Sequence, residues 1–208
     1  MTEELLEKVN SILPTIHGWC CLEKASKFIT NIVTEKPQLI VEIGVFGGSS
    51  LIPQALALKH NGSGKIYGID PWTKGAALEC MIDDVHKQWW ESLDLDSIYN
   101  HCKENIQKYE VEQYCELIRD KSENVVNQFE DNSIDILHID GNHSEDLSYK
   151  DSTLYFPKVK KGGLIFFDDI FWTEGNNYAT TRKAISYLLQ FCNKIEIVNN
   201  DCMILRKN

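Results

Sequence analysis

Apolar positions along the chain switch between two periods. Residues 2–13 place Leu5, Leu6, Val9, Ile12 and Leu13 at the three- and four-residue spacing of a helix face. Pro14 and Gly18 interrupt that pattern, and Leu22, Ala25, Phe28, Ile29 and Ile32 resume it over 20–35. After Pro37 comes LIVEIG (39–44), a short β-branched run bounded by glycine, which is the pattern of a strand buried on both faces. The signature recurs in KIYGID ending at Asp70, CELIRD at Asp120, SIDILHID at Asp140 and GLIFFDD at Asp168 and Asp169. Helical stretches over 49–60, 96–110, 121–129 and 143–160 separate these runs, and a further helix is predicted near 178–191. KIEIV and CMILR, joined by Asn199-Asn200-Asp201, read as a hairpin.

Regular alternation of strand and helix predicts an α/β protein: a Rossmann-like, doubly wound, mostly parallel seven-stranded sheet with an antiparallel C-terminal hairpin. Residues 1–36 form a helical segment packed on the core, and 37–208 the main domain. The amphipathic first helix has two readings, packing on its own sheet or covering the site of a second copy in a homo-oligomer. Residues 71–95 exceed what a crossover needs and hold Trp72, Trp89 and Trp90. They read either as a lid or substrate wall or as a helix that packs its aromatics into the core.

Composition narrows the class. The 208 residues carry 21 Lys and Arg against 31 Asp and Glu, a net charge of −10 that repels nucleic-acid phosphates. A hydrophobic content of 43% excludes disorder, and no apolar run reaches the ~18–20 residues of a membrane span. MTEELLEKVN lacks the pattern of a secretory leader. Seven cysteines without a CxxC pair argue against a disulfide framework and against a thiolate zinc site, and for reduced thiols in a cytoplasmic protein.

The chemistry concentrates at strand ends, where open parallel sheets bind ligands. Glu42 to Ser50 form a glycine-rich turn with Gly44 and Gly48, where Ser49 or Ser50 can cap the following helix. Phe46 stands where G-x-G-x-x-G would have its second glycine, so a dinucleotide fits poorly. Asp70 can accept hydrogen bonds from ribose hydroxyls, although Asp-Pro is also a turn sequence. Asp140 and the Asp168–Asp169 pair end neighbouring strands about 4.8 Å apart. Three converging carboxylates call for a cation or a retained proton, and hard oxygen ligands suit Mg²⁺ or another hard divalent ion. Capping and turn chemistry is the bland alternative. His143, three residues past Asp140, can act as a base near neutral pH. His17, His60, His86, His101 and His138 lack such company.

EIGVFGGSS followed by KIYGIDPW resembles the first two motifs of class I S-adenosylmethionine (SAM)-dependent methyltransferases, and is similar to the metal-dependent O-methyltransferases of the caffeoyl-CoA and catechol type. HIDGNHSEDLSYKDSTLYFPKVKKGGLIFFDD (138–169) resembles a branch with macrolide-sugar O-methyltransferases and cephalosporin-hydroxylase-like proteins. The resemblance runs from about Trp19 to Trp172. It implies that Glu42 holds the methionine end of SAM, Asp70 its ribose, and Asp120, Lys121 and Ser122 lie by the adenine. The full cofactor set is then Glu42, Gly44, Phe46, Gly48, Ser49, Asp70, Pro71, Trp72, Asp120, Lys121, Ser122 and Asp140. Asp140, Asp168 and Asp169 would bind the ion. Some relatives carry an acid near Asn142; the Asn here shifts the base to His143. Trp72, Trp89, Trp90 and Trp172 can wall an apolar or sugar face. The implied reaction is metal-assisted O-methylation of a small hydroxylated molecule, a sugar or glycoside before a catechol or other phenol. A non-catalytic SAM-binding protein and an NAD-dependent oxidoreductase are the competing readings.

Overall fold

The computed structural model describes residues 2–174 and 178–208, with only the backbone of Thr2. Helices α1 (Thr2–Ile12) and α2 (Leu22–Glu35) precede strand β1 (Leu39–Ile43). Then come α3 (Leu51–Asn61), β2 (Lys65–Ile69), α4 (Lys74–Ala77), α5 (Asp84–Ser92), α6 (Leu95–Lys108) and β3 (Cys115–Ile118). The second half holds α7 (Ser122–Val125), β4 (Ile134–Ile139), α8 (Glu145–Tyr155), β5 (Val159–Phe167), α9 (Arg182–Leu188), β6 (Cys192–Val198) and β7 (Cys202–Lys207). The strand order is β3-β2-β1-β4-β5-β7-β6, parallel through β5, with β7 antiparallel to both β5 and β6. The expected doubly wound sheet and terminal hairpin are present. At the hairpin, Asn199 and Asn200 have φ of 50° and 52°, and Asp201 N–H donates to Val198 O at 3.0 Å. Positive φ at both central residues gives the four-residue turn Val198–Asp201 the mirror-image form whose twist matches that of the strands, and Val198 pairs with Cys202 beyond it.

Alternate strand residues feed two cores. On β5, Leu164 and Phe166 face α2, where Phe28 stacks on Phe166 at 4.3 Å between centroids, with Ile29 and Ile32 in the same cluster. Ile165 and Phe167 face the opposite layer, with Tyr155 of α8 and Leu188 of α9. Leu5 and Val9 of α1 join the α2-side cluster, with α1 packed against α2 and α3.

Three element boundaries differ from the sequence reading. The helix expected over 143–160 ends at Tyr155; Pro157 sits in a single 3-10 turn and Val159 already pairs with Ile134. Proline lacks the N–H needed to continue the helix. The helix expected over 121–129 is one turn of α7 followed by a 3-10 turn, Val126–Gln128. The helix expected near 178–191 is shortened to Arg182–Leu188.

The chain moves from β1 outward to β2 and β3, and from β4 outward in the other direction. The cleft between β1 and β4 is therefore the topological switch point, the place where open α/β sheets bind ligands.

Candidate functional site

A cavity of about 580 Å³ opens above the carboxyl ends of β1, β2 and β4. Its floor is backbone against backbone. Asp140 N–H donates to Ile43 O at 2.8 Å, and a Cβ on Gly44 would lie 1.9 Å from Asp140 O. Glycine is required there because two strand ends meet, with φ at 84°.

Asp70 organises the β1–α3 loop. Its Oδ2 accepts from Val45 N–H and Phe46 N–H, each at 3.0 Å, and its Oδ1 accepts from Trp72 N–H at 2.7 Å. Trp72 Nε1 in turn donates to Phe46 O at 2.8 Å. Phe46 and Trp72 both have left-handed backbone, φ 50° and 45°, which costs on the order of 1 kcal/mol or more for each such residue. Phe46 thus keeps the conformation a glycine would supply. Burial pushes the Asp70 pKa up, against the three amides that favour its charged form.

Of the residues expected to hold the cofactor, Gly44, Phe46, Ser49, Asp70, Pro71, Trp72, Lys121, Ser122 and Asp140 line the cavity. Glu42, Gly48 and Asp120 do not. The Glu42 carboxylate is fully buried, accepting from Ser50 Oγ at 2.8 Å and Gln54 Nε2 at 2.5 Å. At Gly48 the missing Cβ makes room for Cys102 Sγ of α6, 2.9 Å from where it would stand. Asp120 faces solvent and accepts from Lys121 N–H and Asn124 Nδ2 at the start of α7.

The opposite end of the cavity is acidic. Asp169, with left-handed φ of 54°, turns the chain after β5 and sets its Oδ2 2.9 Å from His143 Nε2. One ligand atom each from Asp140, His143 and Asp169 falls within 4.8 Å of the others. Two neighbouring hydroxyls fix the backbones: Thr180 Oγ1 donates to His143 O at 2.5 Å and Thr181 Oγ1 to Asp169 O at 2.9 Å. Burial pulls the His143 pKa down, but the bond and charge of Asp169, with Asp140 and Asp168 behind it, raise it above the ordinary histidine value. Burial and the Asp168 charge push Asp140 well above the carboxylate range, despite Lys24 and His138. Trp172 packs on His143 at 5.0 Å and on His86 at 4.7 Å.

Asp168 sits apart from Asp169, although with His138 and Asp140 it too forms a group that could hold an ion. It is 1% exposed, does not line the cavity, and its Oδ2 accepts from Lys24 Nζ at 2.5 Å and lies 3.0 Å from His138 Nε2. His138 also has Glu42 Oε2 at 3.1 Å from Nδ1, off the ring N–H axis. The row Glu42–His138–Asp168–Lys24 is thus a buried chain of alternating charge. Burial opposes the imidazolium, yet Asp168 and Glu42 raise the His138 pKa to about 10. His138 and His86 therefore both have company that the sequence did not reveal. Strand parity accounts for the row: Glu42 pairs with His138, and His138 with Phe166, two residues before Asp168.

The 71–95 segment forms one wall of the cavity through Thr73, Ala76, Ala77, Met81, Trp89 and Trp90. Asn142 Nδ2 donates to Glu79 O at 2.9 Å, and Ile82 N–H to Glu174 Oε2 at 2.9 Å, tying the segment to both strand-end loops. Trp72 is buried, whereas Trp89 is 40% exposed and packs on Trp19, itself 66% exposed. Trp19, Lys24, His86, Glu174 and Asp201 line the cavity without having been singled out from the sequence. Only Lys24 carried a signal: it stands four residues before Phe28, on the apolar face of α2.

This site lies in a recognisable domain. The family described as methyltransferase domain matches residues 41–170, more than half of the chain, and the chain belongs to that family. An uncharacterized protein of Acanthamoeba polyphaga mimivirus, R132, is 32% identical over 129 residues, covering 62% of this chain and 50% of that protein. The chain spans about half the length of this curated relative. Among solved structures, the SAH-bound methyltransferase PaMTH1 of Podospora anserina superimposes with a TM-score of 0.68 at 14% identity, over 99% of this chain and 88% of its own. The O-methyltransferase TomG of Streptomyces achromogenes, involved in tomaymycin synthesis and solved with SAM, gives 0.64 at 15% identity, over 98% and 89%. At these identities the likeness is one of fold.

Proposed function

We propose that the chain transfers a methyl group from SAM to a hydroxyl of a small molecule, a sugar or glycoside before a catechol or other phenol, with the help of a hard divalent ion such as Mg²⁺. The observation that carries this reading is one cavity with two chemically distinct ends, an apolar end bearing the Asp70 carboxylate and a carboxylate–imidazole cluster at Asp140, His143 and Asp169.

The residues fit a nucleoside cofactor. Ile43, Val45, Ile69 and Trp72 supply apolar surface, Asp70 a carboxylate, and Lys121 and Ser122 polar groups beside it. Bound SAM supplies a methyl group activated by its sulfonium. The residues also fit a divalent ion: Asp140 and Asp169 are hard oxygen donors open to the cavity, and Mg²⁺ is commonly held by one or two carboxylates plus waters. Such an ion would lower the pKa of an acceptor hydroxyl.

The chain's own groups then do three things. The cavity walls align the acceptor oxygen with the methyl group, and positioning alone can supply much of the rate. Asp169 orients the His143 ring, and its charge favours an imidazole that takes the hydroxyl proton. With Nε2 turned to Asp169, Nδ1 is the nitrogen left to accept it. Trp172, Trp89 and Trp90 offer flat faces to an apolar or sugar ring.

The 2.9 Å contact between His143 and Asp169 also supports a second reading, base catalysis by this dyad with no ion. A non-catalytic SAM-binding role is less favoured, because it leaves the dyad without a use. Seven free cysteines support a cytoplasmic setting, and no helix among the described residues is long and apolar enough to cross a membrane.

The test is release of S-adenosylhomocysteine with a panel of methyl glycosides, nucleotide sugars and catechols, with Mg²⁺ or with chelator. The metal-assisted reading expects turnover that chelator abolishes, and that Asp140→Ala and Asp169→Ala abolish while SAM binding persists. Turnover unaffected by chelator selects the dyad reading. SAM binding without turnover on any acceptor removes the catalytic one.

A further inference from the structure

The ammonium of Lys24 enters the cavity from an unexpected side. Lys24 lies in the first turn of α2, outside the family-matched residues 41–170, yet it is 5% exposed and lines the cavity. Its Nζ is 2.5 Å from Asp168 Oδ2 and 3.6 Å from Asp201 Oδ2, with Asp140 among the charges that raise its pKa. It is a cation set among the carboxylates that a divalent ion would use.

Asp168 is the carboxylate this lysine contacts. One ligand atom each from Asp168, Asp140 and His138 falls within 4.8 Å of the others, so its carboxylate is within reach of the acid cluster. Oδ2 is held by Lys24 and His138. Oδ1 is buried without a hydrogen-bond partner, the neighbouring Cys202 thiol being a weak donor. A buried acceptor in that state has unused capacity for a ligand.

We propose that Lys24 is an internal counter-ion that sets the strength of divalent-ion binding in the cavity, holding Asp168 out of the coordination sphere and leaving the ion Asp140 and Asp169, beside His143. This rests on the divalent-ion reading above. Two effects act in the same direction. The ammonium repels a second cation nearby, and it occupies the oxygen that would add a third carboxylate. Mg²⁺ and Mn²⁺ gain affinity with each anionic oxygen ligand, so the lysine keeps the ion weakly held and exchangeable. As Lys24 stands on a helix of the N-terminal segment, displacement of that helix would alter the ion site directly.

The experiment is titration of Mn²⁺ alone into the full chain, with free Mn²⁺ read by electron paramagnetic resonance, so that no turnover is needed. Wild type is compared with Lys24→Met, Asp168→Asn, the double variant and Asp140→Ala. Lys24→Met is expected to bind Mn²⁺ roughly tenfold tighter or more, because a repelling charge is removed and the Asp168 charge is no longer offset by it. The double variant should lose most of that gain. Asp168→Asn alone should bind Mn²⁺ no tighter than wild type, since the residue is not a ligand while Lys24 holds it and its charge offsets the ammonium. That last comparison stands even if Lys24→Met fails to fold.

Equal or weaker binding by folded Lys24→Met overturns the proposal, as does tighter binding by Asp168→Asn. Mn²⁺ binding that Asp140→Ala leaves unchanged overturns the divalent-ion reading itself, independently of Lys24. Absence of binding in both wild type and Lys24→Met overturns both.

Discussion

Asp169 Oδ2 lies 2.9 Å from His143 Nε2, although one residue follows β5 and the other precedes α8. The backbone carbonyls of both accept a hydrogen bond from Thr180 or Thr181, consecutive residues ahead of α9. The ring and the carboxylate are therefore held by a shared strap, which favours a working dyad over a chance surface pair. His143→Ala should lower kcat by roughly 10²–10⁴-fold with little change in SAM binding, as loss of a general base does. Steady-state kinetics beside calorimetric SAM binding checks both parts, and a loss under tenfold assigns the base elsewhere.

Asp70 joins the proposed cofactor end of the cavity to loop geometry. Its carboxylate meets three backbone N–H groups, and two aromatic residues depend on it to stay in left-handed backbone. Asp70→Ala should abolish measurable SAM binding and also destabilise the fold by about 1–3 kcal/mol, the cost of unpaired buried donors. Asp70→Asn, which keeps only one of the two acceptor oxygens, should recover part of the stability and little of the affinity. Denaturant melts and calorimetry on the two variants separate the roles.

His138 is the cation between Glu42 and Asp168 in the buried charge row. Replacing it with Leu leaves two buried carboxylates facing one another, and breaking such a row typically costs about 3–5 kcal/mol. Adding Glu42→Gln to His138→Leu should restore part of that loss. Urea unfolding of the single and double variants measures the coupling, and simple additivity would show that the row is not one unit.

Asp151, on the buried face of α8, accepts from Ser122 Oγ, and burial raises its pKa to about 6 from an ordinary 3.8. Well below pH 3.8 the carboxyl is protonated in folded and unfolded chains alike and carries no penalty. As pH rises from 4 through 6 the unfolded chain ionises first, so stability falls, by about 3 kcal/mol for a shift of this size. Asp151→Asn should therefore raise Tm at pH 8 and leave it nearly unchanged at pH 4. Thermal melts across that range test the sign, and an equal gain at both pH values would point to packing instead.

The sheet was legible because each parallel strand is a short β-branched run ending in an acid or a glycine, a pattern that local sequence carries by itself. The start of β5 was not. Lys160, Lys161 and two glycines do not look like a strand, and Val159 pairs with Ile134 before the register shifts to Leu164 opposite Ile136. At the site, Asp140, His143 and Asp169 could be read from strand ends. Separating Asp168 from Asp169 required knowing that the first stays on the α2 face while the second sits in a left-handed turn. Lys24 lies 144 residues from Asp168 in sequence, and no local pattern encodes a contact over that distance.

The most direct measurement is calorimetric titration of S-adenosylhomocysteine into the folded protein and into Asp70→Ala. Saturable one-to-one binding by the wild type, lost in Asp70→Ala, is the predicted result. Folded wild-type protein that does not bind, or binding that Asp70→Ala leaves intact, would contradict the assignment of this cavity to a SAM-type cofactor.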